Sequence, residues 1–304
     1  MKLIFLVGPT ASGKSQVALA LAKKISAEII SCDSMQVYQG MDILTSKVTR
    51  VFRRKIPHHL IDIISPDKEY NVALFCKETR KQIKEILRRG KKVLLVGGTG
   101  LYILSLIDGI FKLKSQDKLL RRKLSLEAQK SGSRTLHARL QKCDPPAAAK
   151  IHPHDTRRII RALEVFYTTG KPISALQKEK QGLKDEYEVA VFGLNMPRSQ
   201  LYQRIDARVD RMLAKGLVKE VRKLLKFKLS KTARAALGIK EISGYLDGLY
   251  DLACARRLIK QNTRRYAKRQ LTWFRKDKRI TWIDITDKEK PQETARKIWN
   301  ALYW

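Results

Sequence analysis

The chain has 304 residues, 43% of them hydrophobic, which is enough for one large domain plus an insertion or second lobe with a substantial core. Its 64 Lys and Arg against 29 Asp and Glu give a formal net charge of +35. An enzyme of small metabolites has no need of such an excess, so the balance favours a polyanionic partner, most commonly nucleic acid. A general basic drift of an organism's proteins would give the same balance.

The four cysteines are far apart in the sequence and form no C-x-x-C pair, which argues against a disulfide framework or a zinc site. No apolar run approaches the ~20 residues needed to span a bilayer. The first residues enter a core strand at once, which leaves no room for a signal peptide. We therefore expect a cytoplasmic protein without a membrane partner.

The first predicted strand leads into a glycine-rich segment that is followed by a helix. The strand covers residues 3–7, the helix begins before residue 17, and the segment between them is Gly8-Pro9-Thr10-Ala11-Ser12-Gly13-Lys14-Ser15. Such a loop directs backbone N–H groups into one concavity at the positive end of the helix dipole. Lys14 can bridge phosphate oxygens, and the Ser15 hydroxyl suits a phosphate-bound Mg²⁺. The complete pattern in this context predicts a di- or triphosphate site.

Further apolar strands alternate with helical patterns through the first third of the chain. Strands are predicted at 28–31, 60–64 and 91–96, and a basic amphipathic helix at 73–89. This alternation indicates a parallel sheet covered on both faces, in which ligands gather at the carboxyl ends of the strands. The phosphate loop, residues 33–36 and residues 97–100 all follow strands, so we expect them to converge.

Two polar residues in these segments are candidates for chemistry. Asp33 follows the second strand, where a carboxylate can act as a general base, order Mg²⁺-bound water, or cap a turn. Thr99 lies in a Gly-Gly-Thr-Gly turn, where glycines let the backbone approach a ligand, although a simple turn before a helix fits equally. The sequence leaves both alternatives open.

The character of the chain changes near residue 114, where charged helical patterns broken by prolines begin. We predict a core at residues 1–113, a helical insertion domain at 114–184, and a returning strand, C-terminal helices and a final strand at 185–304. The returning strand is expected at 187–194, a long helix from about residue 198, and the last strand at 279–283. The fold class is thus α/β.

Arginines are clustered on two of these helices. Arg157 and Arg161 lie one turn apart beside a core stripe that includes Ile159, and solvated arginines are the ordinary reason for such spacing. On the next long helix the stripe of Arg204, Arg208 and Arg211 runs beside a buried face. If that stripe faces the phosphate site, it can neutralise a pyrophosphate leaving group.

The C-terminal helical region carries nine basic residues and no acid between Arg256 and Lys276. Lys260, Arg264 and Lys268 recur every fourth residue, which predicts one strongly cationic helix face. Aromatic residues are interleaved with these charges. Cations that contact phosphates and rings that stack on bases fit single-stranded RNA, although aromatics in the core with solvated charges would give the same pattern.

Taken in order, these segments resemble the tRNA dimethylallyltransferases, or tRNA isopentenyltransferases, over nearly the whole chain. The residues that carry the resemblance are Gly8–Ser15, Asp33–Tyr38, Ile56–Asp62, Gly97–Tyr102, Arg158–Glu164 and Ala267–Trp273. One departure is Ile239, where the family's pattern has an aromatic residue, usually tyrosine.

The resemblance implies a P-loop, nucleotide-kinase-like fold and transfer of a dimethylallyl group from dimethylallyl diphosphate to the exocyclic amine of adenosine 37 of tRNA, with Mg²⁺. It implies a monomer that binds the anticodon stem-loop through the insertion domain. The phosphate loop would hold the diphosphate of the prenyl donor, so that an ATP-site label would describe its ancestry.

The resemblance also implies a role for individual residues. Asp33 matches the general base, Thr99 the threonine at the junction of adenosine and diphosphate, and Arg208 the diphosphate-stabilising arginine, with Arg204 as the alternative. Thr10–Ser15 would hold the diphosphate and Mg²⁺, with Ser15 as the metal ligand. The residues that match tRNA-contacting positions are Asp33, Ser34, Met35, Gln36, Thr99, Arg157, Arg158, Ile159, Ile160 and Arg161, to which the basic helix adds Lys268 and Arg269.

Two other functions fit part of the sequence. A P-loop kinase of a nucleotide or small metabolite would account for the loop, Asp33 and the sheet, but not for the cationic helix. An RNA-binding protein without catalysis would account for the charge, but would leave the phosphate loop without a role.

Overall fold

The computed structural model describes residues 1–111 and 117–302, and the chain divides into two compact units. The first unit combines Met1–Ile107 with Glu186–Trp304, and the second is Asp108–Asp185. The boundary predicted between residues 113 and 114 lies outside the described residues. The second unit begins before that point, at Asp108, and ends beside the predicted limit of residue 184.

The first unit is built on a parallel sheet. Within the described ranges the strands are β1 (Lys2–Val7), β2 (Ala27–Cys32), β3 (His58–His59), β4 (Lys92–Gly97), β5 (Glu188–Asn195) and β6 (Ile280–Asp284). Their order is β3-β2-β4-β1-β5-β6, and every neighbouring pair is parallel. β5 pairs directly with β1, so the chain that follows the second unit completes the sheet. The predicted α/β fold class is confirmed.

Helices cover both faces of the sheet or form the second unit. In the described ranges they are α1 (Lys14–Ile25), α2 (Arg50–Lys55), α3 (Val72–Arg88), α4 (Gly100–Asp108), α5 (Lys118–Ser131), α6 (Ser133–Cys143), α7 (Pro145–Lys150), α8 (Thr156–Thr169), α9 (Ile173–Leu176), α10 (Arg198–Ala214), α11 (Leu217–Leu224), α12 (Lys231–Arg234), α13 (Ile239–Leu246), α14 (Leu252–Phe274) and α15 (Pro291–Leu302). The sequence did not lead us to predict α15, which packs in the same core cluster as α1 through Ala295 and Ile298.

The third strand is shorter and earlier than predicted. The pattern at 60–64 indicated a strand, but pairing with β2 is confined to His58 and His59. Leu60 and Asp62 both have φ near 60°, a left-handed conformation that breaks an extended strand. The Asp62 carboxylate forms ion pairs with Lys47 and Arg53, which hold this turn in place. The prediction was wrong because an apolar run does not report backbone turns.

Each unit has its own apolar core. In the first unit, α1 buries Val17, Leu21 and Ile25 against the sheet. In the second unit, α6 and α8 bury Leu136, Leu140, Ile159 and Leu163 against one another. Burial of apolar side chains at these helical spacings is what holds each helix in position.

All four cysteines are free thiols. Among the described residues, no helix combines the length and the apolar character needed to cross a membrane.

Candidate active site

The phosphate loop connects β1 to α1 with the geometry of an anion-binding turn. Ala11 has φ of 65° and Gly13 has φ of 89°, so left-handed residues alternate with ordinary ones and backbone N–H groups turn inward. Gly13 is the N-cap of α1 and supplies no side-chain cap. The first N–H groups of α1 are therefore available to a ligand, and the helix dipole favours an anion there.

Lys14 lies at the base of this loop, where its ammonium donates a hydrogen bond to the carbonyl oxygen of Pro9 at 2.6 Å. Its pKa is lowered to about 7, mainly by burial and also by the nearby positive charge of Arg208, while the charge of Asp33 acts in the opposite direction. Two cations held together in a partly dry site repel each other. An anion bound between them would relieve that repulsion.

Arg208, on α10, forms a hydrogen bond with the phosphate loop. Its Nη1 donates a hydrogen bond to Thr10 Oγ1 at 2.8 Å, and its buried Nε has no partner among the described residues. Burial lowers the pKa of its guanidinium. Arg204, one turn earlier, instead donates to the carbonyl oxygen of Asp287 at 3.2 Å. Both line the same cleft, and a Cβ at Gly13 of the loop would lie 3.4 Å from Nη1 of Arg204, but the hydrogen bond to the loop comes from Arg208.

Asp33 follows β2, and of the three roles that the sequence left open the structure shows the turn cap. Its Oδ1 accepts hydrogen bonds from the N–H of Met35 at 2.8 Å and of Gln36 at 3.4 Å, which caps the turn. Its Oδ2 has no hydrogen-bond partner among the described residues, and Asp33 lines the cleft. One oxygen is fixed by the backbone, and the other can accept a proton or a hydrogen bond from a ligand.

Thr99 joins the loop after β4 to the loop after β2. Its Oγ1 accepts a hydrogen bond from the N–H of Ser34 at 3.2 Å, which leaves the hydroxyl proton for another acceptor. The phenol of Tyr266, on α14, forms a hydrogen bond with Thr99. The pKa of Tyr266 is raised to about 12, mainly by burial and also by the charge of Asp33, while a hydrogen bond with Thr99 acts in the opposite direction. Tyr266 is therefore a neutral phenol at physiological pH.

The Gln36 side chain is engaged by the protein. Its Oε1 accepts from Ser31 Oγ at 2.9 Å, and its Nε2 donates to the carbonyl oxygen of Thr45 at 3.4 Å. The loop that contains Thr45 is held from outside by Glu220, whose carboxylate accepts the N–H groups of residues 42, 43 and 44. The sequence analysis did not single out Glu220, because its partners are about 178 residues away in sequence.

These segments line one cleft of about 790 Å³ in the first unit. Its basic lining residues are Lys14, Lys47, Arg50, Arg53, Arg204, Arg208, Arg211 and Lys215. In the described part of the chain the acidic residues in its wall are Asp33 and Asp42. The cleft thus has a positive field with one carboxylate placed opposite the phosphate loop, which suits an anionic substrate and a proton acceptor.

Gln270 is a site residue that the sequence analysis missed. Its Oε1 accepts the N–H of Thr10 at 2.8 Å and its Nε2 donates to the carbonyl oxygen of Gly98 at 2.8 Å, so one side chain joins the phosphate loop to the loop that carries Thr99. The sequence signal that could have identified Gln270 is its place in the helical pattern of α14. Gln270 lies on the buried face of α14 with Ala267 and Phe274. A polar residue on a buried stripe needs partners.

The glycines around Thr99 are required by packing. A Cβ at Gly97 would lie 2.2 Å from the carbonyl oxygen of Cys32, and one at Gly98 would lie 2.3 Å from Nε2 of Gln270. A Cβ at Gly100 would lie 2.3 Å from Cδ1 of Trp273. These glycines therefore allow close approach of the protein's own groups, and the expected approach of a ligand to this turn stays a prediction.

The cationic face predicted for α14 is divided between two environments. Lys260 pairs with Asp210 at 2.8 Å and Arg264 pairs with Asp206 at 2.9 Å, both carboxylates belonging to α10. That half of the face is a helix–helix contact, and its prediction as a free cationic surface was wrong, because the carboxylates that neutralise it lie on another helix. Lys268 and Arg269, further along, are exposed.

Ile239 is buried at the start of α13, with 2% of its surface exposed. The aromatic residue expected at this position is thus replaced by an aliphatic side chain that packs in the core.

The segment Arg157–Arg161 begins α8 of the second unit. Arg157 and Arg158 are exposed, Ile160 is half-buried, and Ile159 is fully buried, so the Ile159 side chain is not available to a ligand. Arg161 donates to the buried carboxylate of Glu164 at 2.8 Å, and Arg121 of α5 pairs with the same carboxylate. Arg161 therefore has a structural partner that the sequence did not predict.

The two adjacent histidines have structural contacts, as expected. His58 Nδ1 lies 2.7 Å from the carbonyl oxygen of Ile56, and His59 Nε2 lies 2.6 Å from Glu28. Among the described residues there is no cluster of three or more His, Cys, Asp or Glu that could hold a metal ion. Any ion in the cleft would need most of its ligands from a bound phosphate and water.

The fold and the site define a P-loop protein with a basic cleft for a phosphorylated substrate. A family model described as "IPP transferase" matches residues 36–277, and one described as "Isopentenyl transferase" matches residues 1–52. The tRNA dimethylallyltransferase of Carboxydothermus hydrogenoformans is 55% identical over 300 residues, covering 98% of this chain and 96% of the relative. That of Geobacter metallireducens is 48% identical over 289 residues, covering 94% of each.

Solved structures agree with these relatives. The tRNA isopentenylpyrophosphate transferase of Bacillus halodurans matches with a TM-score of 0.72 and 42% identity, over 99% of this chain and 97% of that one. A eukaryotic dimethylallyltransferase acting on tRNA matches with a TM-score of 0.84 and 33% identity, over 99% and 79%. The chain belongs to the IPP transferase family, whose relatives are tRNA dimethylallyltransferases, and the family predicted from the sequence is confirmed.

Proposed function

We propose that this protein transfers the dimethylallyl group of dimethylallyl diphosphate to the exocyclic amine of adenosine 37 in tRNA and releases diphosphate. The observation that carries the proposal is the convergence of Lys14, Arg208 and Asp33 on one cleft, with Thr99 hydrogen-bonded to the N–H of Ser34, the residue after Asp33. Cations for a leaving diphosphate and a carboxylate for an amine proton are the two requirements of this reaction.

In the proposed reaction, the nitrogen of the adenosine amine forms a bond to the first carbon of the prenyl group. The bond from that carbon to the diphosphate oxygen breaks, and its electron pair leaves with the diphosphate. Negative charge therefore builds on the leaving oxygen, where the Lys14 ammonium, the Arg208 guanidinium and the loop N–H groups can stabilise it. The amine proton goes to Oδ2 of Asp33, whose other oxygen is held by the turn.

The residues of the loop also fit a magnesium ion. Ser15 is exposed at the start of α1 and lines the cleft, so its hydroxyl can serve as one ligand. Mg²⁺ in phosphate sites keeps several waters and takes few protein ligands, which agrees with the small donor set in the described residues. When bound, the ion would neutralise charge on the diphosphate as it leaves.

Charge and composition support the tRNA partner. A net charge of +35 attracts a polyanion, and the exposed Arg157, Arg158, Lys268 and Arg269 are the residues we propose for contacts with the anticodon stem-loop. We propose that the protein acts as a monomer, as the resemblance to the family implies. Its four free cysteines support a cytoplasmic location.

The test is a transfer assay with labelled dimethylallyl diphosphate, Mg²⁺ and tRNA that lacks the modification. The expected result is label in the adenosine next to the anticodon, and none in a matched tRNA that has guanosine at that position. ATP-dependent phosphorylation of a metabolite without label transfer would show a kinase instead. Tight tRNA binding with neither activity would overturn the proposal in favour of a binding protein.

A further inference from the structure

Trp273 extends the row of site residues on α14 towards the protein surface. Tyr266, Gln270 and Trp273 follow one another at spacings of four and three residues, which places them on one side of the helix. Tyr266 and Gln270 line the cleft. Trp273 lies one turn beyond Gln270 and is 37% exposed.

The indole of Trp273 is held in position by the backbone next to Thr99. A Cβ at Gly100 would lie 2.3 Å from its Cδ1 and 2.6 Å from its Nε1, so the five-membered ring rests on the first residue of α4. One side of the indole therefore packs on Gly100, the residue that follows Thr99. More than a third of the Trp273 surface remains exposed and is accessible to a ligand.

The surroundings of the indole are cationic. Trp273 lines a surface depression of about 280 Å³ together with Lys268, Arg269, Thr272 and Lys276. All four of these neighbours are exposed. Unlike Lys260 and Arg264, which α10 neutralises, Lys268 and Lys276 have no carboxylate partner among the described residues. The depression combines one flat ring with cations that are free to meet an anion.

A flat indole surrounded by cations is suited to bind a nucleobase together with the phosphates on either side of it. A base offers a π-face to the indole, and the phosphates on either side offer anionic oxygens to lysine and arginine. A double-stranded segment keeps its bases stacked on one another and offers only the phosphates. The site therefore favours an unpaired base of a single-stranded RNA loop.

We propose that Trp273 is a stacking platform for an unpaired base of the tRNA loop, a base other than the adenosine that enters the cleft, and that Lys268, Arg269 and Lys276 contact the adjoining phosphates. The inference rests on the proposed function, since it assumes that tRNA is the partner. It adds a base-binding position outside the cleft and assigns it to a residue that takes no part in the chemistry.

The test uses the full-length protein with the substitutions Trp273→Ala and Trp273→Phe, and a Lys268→Gln, Lys276→Gln double variant. Lys84→Gln, an exposed lysine on α3, is the matched charge control. The probes are an unmodified anticodon stem-loop and a fully paired duplex with the same stem. Affinity is measured over a range of salt concentrations, and tryptophan fluorescence is recorded during each titration.

We expect Trp273→Ala to weaken binding of the stem-loop roughly 5- to 100-fold, with an unchanged salt slope and little effect on the duplex. Trp273→Phe, which keeps a ring, should retain most of the affinity. The double lysine variant should instead reduce the salt slope by roughly 0.7 for each phosphate contact that it removes. The stem-loop should quench the fluorescence of the wild type more than that of Trp273→Phe.

The inference is overturned if Trp273→Ala binds the stem-loop with wild-type affinity, or if it loses affinity equally for the duplex. Binding of inorganic diphosphate shows whether the variant is folded. If Trp273→Ala has lost it, the fluorescence titrations decide, and equal quenching by the stem-loop in the wild type and Trp273→Phe overturns the inference. Failure of the proposed function is a different result. In that case the wild type itself transfers no prenyl group to tRNA, whatever Trp273 does.

Discussion

Arg208 on α10 donates a hydrogen bond to the Thr10 hydroxyl of the phosphate loop at 2.8 Å, although 198 residues separate the two in sequence. This contact connects the part of the chain after the second unit to the part before it. The loop can bind an anion through its own N–H groups, but the guanidinium that is hydrogen-bonded to it comes from the returning chain.

Arg208→Ala should lower the rate of prenyl transfer by roughly 10²- to 10³-fold, because the variant lacks a preorganised donor for the charge that builds on the leaving diphosphate. Arg204→Ala is the matched variant, one turn away on the same helix. Since Arg204 donates its hydrogen bond to the Asp287 carbonyl and Arg208 donates one to the loop, we expect a smaller loss. Single-turnover kinetics measure both, and an equal or larger loss in Arg204→Ala would reverse the assignment.

Asp33→Asn should abolish transfer while tRNA binding survives. The amide oxygen of asparagine can still accept from the Met35 N–H, so the turn is preserved, but the side chain no longer takes up a proton. We expect a loss of roughly 10²- to 10⁴-fold in rate. If activity stays within about tenfold of the wild type, which corresponds to roughly 1.4 kcal/mol of barrier, Asp33 is not the base.

Binding of diphosphate should be accompanied by proton uptake on Lys14. In the folded protein without ligand its pKa is about 7, below its ordinary value of 10.5. Between these values the unfolded chain binds more protons, so the contribution of this group to stability rises as the pH increases through that window. A bound anion favours the charged ammonium and raises its pKa.

Calorimetric titration of inorganic diphosphate at about pH 8, in buffers of different ionisation enthalpy, measures the protons taken up on binding. Lys14→Arg is the control, because arginine keeps the charge and does not titrate in this range. The wild type should take up more protons than Lys14→Arg. Equal uptake by the two proteins would mean that Lys14 is already charged before the ligand binds.

Gln270→Met should destabilise the protein by about 1–3 kcal/mol, because it leaves the Thr10 N–H and the Gly98 carbonyl without their partner. Gln270→Glu keeps the acceptor for Thr10 but cannot donate to Gly98 when ionised. Both variants should raise the KM for the prenyl donor. Gln261→Met, at an exposed position on the same helix, serves as the control in chemical denaturation and kinetics, and an equal effect there would contradict a bridging role.

Within the second unit, Arg161→Gln should lower the stability by about 1–3 kcal/mol, because it removes one of the two arginines that satisfy the buried Glu164 carboxylate. Arg157→Gln, at an exposed position of the same helix, should leave the stability unchanged and weaken tRNA binding instead. Thermal denaturation and tRNA titration of both variants separate the two effects. A loss of tRNA affinity without loss of stability in Arg161→Gln would assign that residue to the RNA.

The sequence by itself determined the phosphate loop, the parallel sheet, the returning strand and the positions of Asp33 and Thr99. These features depend on local periodicity and on short patterns whose chemistry is complete within a few residues. It also located α10 and α14 and the excess of positive charge.

Only the tertiary structure decided which charges are free. Lys260 and Arg264 looked like RNA contacts until Asp210 and Asp206 were found opposite them, and Gln270 had no evident role until its two backbone partners came together. The different hydrogen-bond partners of Arg204 and Arg208 likewise became evident only in the folded chain. A pattern in sequence gives the face on which a side chain lies, but its partners come from distant segments that only the folded chain brings within hydrogen-bond distance.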